Sequence, residues 1–149
     1  MSAYVTLGRT LFALLFIVSG AFKFLDIEAT AQSLSGKITI PGDMASYVTQ
    51  LEAATGYPSM QLLAMAAAGI ELLCGLMIAA NFGTKFFAAV LILFIIAATV
   101  LYHDFWNQTG DEARNNIIHL LKNVALIGGL LVIAGYPRLP RSGLKYSDV

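Results

Sequence analysis

Four long apolar stretches divide the chain, at residues 4–25, 60–82, 86–102 and 115–136. Each has the length and composition of a membrane-spanning helix, which needs ~20 mostly apolar residues. The connection between the second and third stretches is very short, which predicts two antiparallel neighbouring helices. The pattern therefore predicts an all-α membrane protein, a single domain over residues 1–149 that forms a four-transmembrane-helix bundle.

A shorter helical pattern lies in the long connection between the first and second spans. Pro41-Gly42-Asp43 is typical of a helix start. Apolar residues then recur between Met44 and Leu51 with the spacing of one helical face. We expect a short amphipathic helix in this first outer loop, lying in the membrane interface. The alternatives are a lid over the bundle and a loop helix that only covers apolar surface.

The composition agrees with a membrane protein and excludes several functions. Hydrophobic residues make up 58% and charged residues 12% of 149 residues, and the mean hydropathy is +0.74, which excludes an ordinary soluble domain. The formal net charge is zero and no basic run occurs, so we expect no nucleic-acid partner. The single cysteine, Cys74, cannot form an internal disulfide or a CxxC redox pair.

The distribution of Lys and Arg predicts the orientation. Arg9, the 81–85 turn and the basic residues of the 138–145 tail fall on one side of the membrane, and two acidic loops fall on the other. Basic loops stay cytoplasmic. We therefore expect a multi-pass protein of the bacterial inner membrane with both termini in the cytoplasm.

Glu71 is the residue whose predicted position is most costly. It lies near the middle of the second span, where an unpaired carboxylate costs several kcal/mol. Arg9, entering from the cytoplasmic end of the first span, is the predicted partner in a buried ion pair. Such a pair fixes helix register; the functional alternative is that Glu71 transfers protons or contacts a bound headgroup.

A second set of polar residues is predicted to converge on the outer third of the bundle. His119, Lys122 and Asn123 share one face of the fourth span because they are spaced at i, i+3 and i+4. The candidate polar pocket consists of Lys23, His103, Asp104, Trp106, His119, Lys122 and Asn123. A quinone needs an apolar slot, an aromatic wall and hydrogen-bond donors at its carbonyl groups. The residues that could provide them are Tyr102, His103, Phe105, Trp106, His119 and Lys122. Trp106 has the alternative of an interface anchor. We predict no metal, since no tight ligand spacing such as HxH occurs.

Several short motifs resemble the DoxX family of small membrane proteins. They are Gly8-Arg9, Leu14 to Gly20 and Lys23-Phe24 in the first span, Gly69 to Gly75 in the second, and His103-Asp104-Phe105-Trp106 with Asn107 after the third. The resemblance implies a four-helix bundle linked to sulfur and redox chemistry. Family members look like subunits of a thiosulfate:quinone oxidoreductase in archaea, and like a membrane partner of superoxide dismutase and a sulfurtransferase in mycobacteria.

These observations lead to one main functional hypothesis and two alternatives. The first is a quinone- or lipophile-binding or anchoring subunit of a redox complex, with no covalently bound cofactor. We expect such a subunit to contact the lipid bilayer, redox or periplasmic partner proteins, and further copies of itself. If it is an enzyme, it is a subunit of a quinone-linked oxidoreductase. The alternatives are a non-catalytic scaffold or assembly factor whose buried charges are structural, and a small-molecule transporter.

Overall fold

Six α-helices make up most of the protein. The structure is a computed structural model that describes residues 3–103 and 106–136. The helices are α1 (Ala3–Leu25), α2 (Ile27–Ser35), α3 (Ala45–Thr55), α4 (Ser59–Ala79), α5 (Thr84–Tyr102) and α6 (Gly110–Gly135), and a 3-10 turn at Gly42–Met44 leads into α3. No strand occurs in those two ranges, which confirms the predicted all-α class.

Four of these helices, α1, α4, α5 and α6, are long and apolar enough to cross a membrane, as the four apolar stretches predict. α6 begins at Gly110, earlier than the expected start at 115. The reason is chemical: Asp111 and Glu112 occupy its first turn, where acidic side chains stabilise the positive end of a helix dipole. The polar beginning of this helix therefore precedes its apolar part.

α1 and α4 approach each other closely enough for glycine to contact the neighbouring backbone. A Cβ atom added at Gly20 would lie only 2.7 Å from the backbone nitrogen of Leu72, and one at Gly75 would lie 2.9 Å from the side chain of Ile17. Both contacts are shorter than real Cβ atoms allow, so only glycine fits at these two positions. Such close approach is the main source of helix association in lipid, where no hydrophobic force drives helices together.

The shared core lies between all four spanning helices. Its buried members are Ala13, Phe16, Cys74, Ile78, Ala88, Leu91, Ile95 and Leu130. α6 contributes only Leu130 to the residues that are fully buried. Most of the α6 surface therefore faces outward, toward lipid or toward another protein.

The helix break between α1 and α2 is the main feature that the sequence analysis missed, because the segment after Asp26 was taken as the start of a long loop. Lys23, near the end of α1, is level with Glu71 at the middle of α4. Beyond the break, Ala31 and Leu34 of α2 are buried together with Ala64 of α4. α1 and α2 therefore pack one after the other along α4. The break between them lies opposite the interior of α4 and not opposite its first residue.

The two ends of the bundle differ in construction. The loop end carries α2, α3 and the start of α4. The turn end carries the tight α4–α5 connection, in which Asn81 and Gly83 both adopt positive φ values, 57° and 54°. α3 forms where the sequence predicts it and ends at Gly56, which has a left-handed conformation. No α3 residue is buried; that its apolar face lies in the membrane interface stays a prediction.

Candidate functional site

A buried ion pair joins α1 to α4. The Lys23 ammonium group donates to Glu71 Oε2 at 2.6 Å and to Ser19 Oγ at 2.8 Å. Glu71 is only 6% exposed, whereas the Lys23 side chain is 29% exposed. Two of the three ammonium protons are used by these contacts, so one proton remains for another acceptor. Solvent or a ligand can therefore reach the pair from the Lys23 side, whereas the Glu71 side is enclosed by protein.

Glu71 has a different partner from the predicted Arg9. Arg9 precedes Lys23 by fourteen residues on α1 (23 − 9), which places it ~21 Å farther along the helix axis at 1.5 Å per residue. Arg9 is buried at the turn end instead, beside the α4–α5 connection. The prediction failed because it assumed that α1 and α4 span the membrane at equal heights. The helix break makes α1 end opposite the middle of α4.

The helix break itself is held by Asp26. The Asp26 carboxylate accepts a hydrogen bond from the backbone N–H of Ala29 at 3.0 Å, which caps the start of α2. The Thr30 hydroxyl donates to the backbone carbonyl of Asp26, also at 3.0 Å. Non-helical backbone at membrane depth is tolerated where it is buried in protein or lines a polar cavity. Asp26 is exposed and lines such a cavity.

This cavity is an open groove of about 470 Å³. It is lined by Ser19, Phe22, Lys23, Asp26, Ala29, Thr30, Ser33 and Tyr102. The Ser33 and Tyr102 hydroxyl groups form a hydrogen bond at 3.3 Å. One hydroxyl proton is used by this bond, so the other proton of the pair remains available as a donor. The groove thus places an ammonium donor and a hydroxyl donor on a partly apolar surface that includes Phe22.

The two histidines form a separate cluster between α5 and α6. The His103 and His119 rings stack with centroids 4.9 Å apart and an interplanar angle of 5°. His103 Nδ1 lies 3.0 Å from the amide oxygen of Asn116, which can only accept. Nδ1 is therefore the donor of this hydrogen bond. Asn116 in turn donates to Gln108.

Three further described residues of the predicted pocket are Asn123, Lys122 and Trp106. Asn123 donates to Thr99 Oγ1 at 2.8 Å and so ties α6 to α5. Lys122 is exposed and forms no ion pair with any residue in the described ranges. Trp106 is 56% exposed. Asp104 lies outside the described residues.

The predicted pocket is therefore divided in two. Lys23 belongs to the groove at the helix break, while His103 and His119 belong to the α5–α6 cluster. Among residues 3–103 and 106–136, no three His, Cys, Asp or Glu side chains converge in a way that could hold a metal ion.

The sequence analysis also left out groove residues that carry no charge. Ser19 and Ser33 contact Lys23 and Tyr102, but lone serines in apolar helices give no distinctive signal. A signal for α2 was present: Asp26 before Ile27, Ala31 and Leu34 is a cap followed by apolar residues at i, i+4 and i+7.

Comparison with known proteins supports the membrane assignment. The DoxX family model matches residues 4–104. The chain is 27% identical to the inner membrane protein YphA of Escherichia coli K12 over 128 residues, which cover 86% of this chain and 79% of the relative. No solved structure matches the chain significantly. The matched region includes the ion pair, the helix break and Tyr102.

Proposed function

The chain belongs to the DoxX family of integral membrane proteins, and we propose that it binds a quinone or a similar lipophilic molecule in the groove at the helix break, as a subunit of a redox complex. One observation carries this proposal. The groove offers two available donors, the third Lys23 proton and one hydroxyl proton of the Ser33–Tyr102 pair.

The chemistry of the groove suits such a ligand. A quinone presents carbonyl oxygens, which accept hydrogen bonds, on an apolar ring. Lys23 and the Ser33–Tyr102 pair supply donors, and Phe22 supplies an apolar aromatic surface. Ligand sites of this kind are mostly apolar with a few placed polar groups, and they occupy roughly 300–1,000 Å³. The groove, at about 470 Å³, lies within that range.

Glu71 serves this site indirectly. It receives a hydrogen bond from Lys23 on the closed side of the groove, so it fixes the position of the ammonium group. The described residues supply one thiol, the buried Cys74. A single buried thiol cannot complete a two-electron disulfide cycle, so the electrons have to come from a partner protein in the proposed complex.

The experiment is quantification of quinone that co-purifies with the protein in mild detergent. Ala29 lines the groove and is exposed, so Ala29→Phe fills the groove without entering the core. Ala125 on α6 is also exposed and does not line the groove, so Ala125→Phe is the matched control. We expect Ala29→Phe and Tyr102→Phe to lower the bound quinone, and Ala125→Phe to retain it. Equal quinone in all four proteins, or none in the wild type, would refute the proposal.

A second candidate function is that of a scaffold that docks partner proteins in the membrane. It is favoured by α6, which buries only Leu130 and exposes Lys122 within its apolar part. Charged residues in membrane spans seldom face lipid. Crosslinking from α6 in native membranes tests this candidate: partner adducts that survive Ala29→Phe but disappear in Lys122→Gln would favour the scaffold over the quinone-binding subunit.

A further inference from the structure

A second cavity lies at the turn end of the bundle, far from the groove. Its volume is about 880 Å³, and it lies between the first third of α1, the α4–α5 turn and the end of α6. Arg9 and Lys85 line it. Neither the candidate groove nor its proposed ligand uses any residue of this cavity, so the two sites can be tested independently.

The charged residues among the described lining of this cavity are both basic. Arg9 is only 7% exposed, and Lys85 adds a second positive charge at the rim. Among the described residues that line the cavity, none is Asp or Glu. A guanidinium group presents its donors in a planar fork that matches phosphate oxygens, and lysine adds a point charge. The polar part of the cavity is therefore suited to a phosphate group.

The rest of the cavity is apolar and continuous with the lipid-facing surface. Val5 and Val132 form its walls. Phe86 lines the rim and is itself largely exposed. A free phosphate ion would gain nothing from these walls, whereas acyl chains would cover them. We propose that this cavity binds an anionic phospholipid, with its headgroup phosphate held by Arg9 and Lys85.

Gly8 gives a sharp test of this site. It lines the cavity, and a Cβ atom added there would meet nothing within 4 Å. Gly8→Leu therefore fills the cavity without disturbing the packing. Gly128 on α6 also has nothing within 4 Å of an added Cβ and does not line the cavity, so Gly128→Leu is the matched control. Lys85→Gln removes a charge at an exposed position.

The measurement is native mass spectrometry of the full chain in detergent, titrated with phosphatidylglycerol, phosphatidylethanolamine or inorganic phosphate. We expect phosphatidylglycerol to bind most tightly, and millimolar phosphate to leave it bound. We expect Arg9→Gln to weaken it about tenfold, the loss of one charge-assisted hydrogen bond. Gly8→Leu should weaken it as well, because the added side chain occupies space in the cavity. Lys85→Gln should weaken it less, and Gly128→Leu should not change it.

Three results would overturn the proposal. The first is equal affinity for both phospholipids, which would mean that the positive charges do not select the headgroup. The second is unchanged phosphatidylglycerol binding in both Gly8→Leu and Lys85→Gln, which would place the lipid elsewhere even if Arg9→Gln fails to fold. The third is displacement by inorganic phosphate alone, which would identify a free-ion site.

Discussion

The Lys23–Glu71 ion pair should couple α1 to α4 more strongly than an ordinary interhelical hydrogen bond. Lys23→Met leaves the Glu71 carboxylate, 6% exposed, without its cation. Removing one partner of a buried pair costs about 3–5 kcal/mol. Because the Lys23 side chain is 29% exposed, solvent screens part of the attraction, and we expect the lower end of that range.

Two further variants test whether the charges of the pair cause the coupling between α1 and α4. Glu71→Gln keeps an acceptor for Lys23 but removes the charge, so it should cost only about 1–2 kcal/mol, the difference between charge-assisted and neutral hydrogen bonds. The double variant Lys23→Met/Glu71→Leu leaves no buried charge. Replacing a whole buried pair by apolar residues is often neutral or stabilising. We therefore expect the double variant to be close to the wild type in stability.

The assay is reversible unfolding in mixed micelles, analysed as a double-mutant cycle with Lys23→Met, Glu71→Leu and their combination. Interhelical hydrogen bonds in a membrane protein average about 0.6 kcal/mol and reach about 1.7 kcal/mol, so a coupling above the larger value identifies a charged pair. A coupling of about 0.6 kcal/mol or less would refute the ion pair. The control cycle, Arg9→Met with Glu71→Leu, should be additive within about 0.5 kcal/mol.

Three further predictions concern packing, polar contacts and pH. Gly20→Leu should destabilise the protein by about 1–3 kcal/mol or more in the same unfolding assay, because its Cβ would collide with the α4 backbone; stability equal to that of Gly128→Leu would contradict this. Thr99→Val should cost about 0.5–1.5 kcal/mol by leaving Asn123 without its acceptor, and Thr99→Val/Asn123→Leu should recover most of it. The backbone N–H of Ser59 donates to Glu52 and lowers the Glu52 pKa below its ordinary 4.5. The stabilisation of the α3–α4 connection is therefore present above pH 4.5 and is lost as the pH falls through the lowered pKa. The protection of the Ser59 amide, measured as its hydrogen-exchange rate relative to the intrinsic rate at the same pH, should fall at that acid pH in the wild type and show no such step in Glu52→Gln.

The spanning helices could be predicted from the sequence because each depends on a local property. A run of apolar residues long enough to cross lipid has few alternatives to a helix, since every backbone polar group must be satisfied within the segment. The family resemblance, which rested on short motifs such as Gly69 to Gly75, is confirmed by the match over residues 4–104. Helix α2 was missed although its cap and apolar spacing were present, because the polar residues between them resembled a loop.

The partner of Glu71 could not be predicted in the same way. Choosing between Arg9 and Lys23 requires knowing the height of α1 relative to α4 along the helix axis. The packing of the two helices against each other determines that height. Gly20 and Gly75 fix that height by allowing α1 to contact the α4 backbone at two levels. A sequence shows that glycines are present, but it does not show which turn of the neighbouring helix each one meets.

The Lys23–Glu71 ion pair and the groove both lie next to the helix break at Asp26. Lys23 precedes the break by three residues and donates to Glu71. The same break opens the space beside Lys23 that Tyr102 and Ser33 border. The packing at Gly20 and Gly75 fixes the height of the pair, whereas the break shapes the groove. Filling the groove at Ala29 should therefore spare the pair, while Gly20→Leu, which displaces α1 from α4, should weaken it.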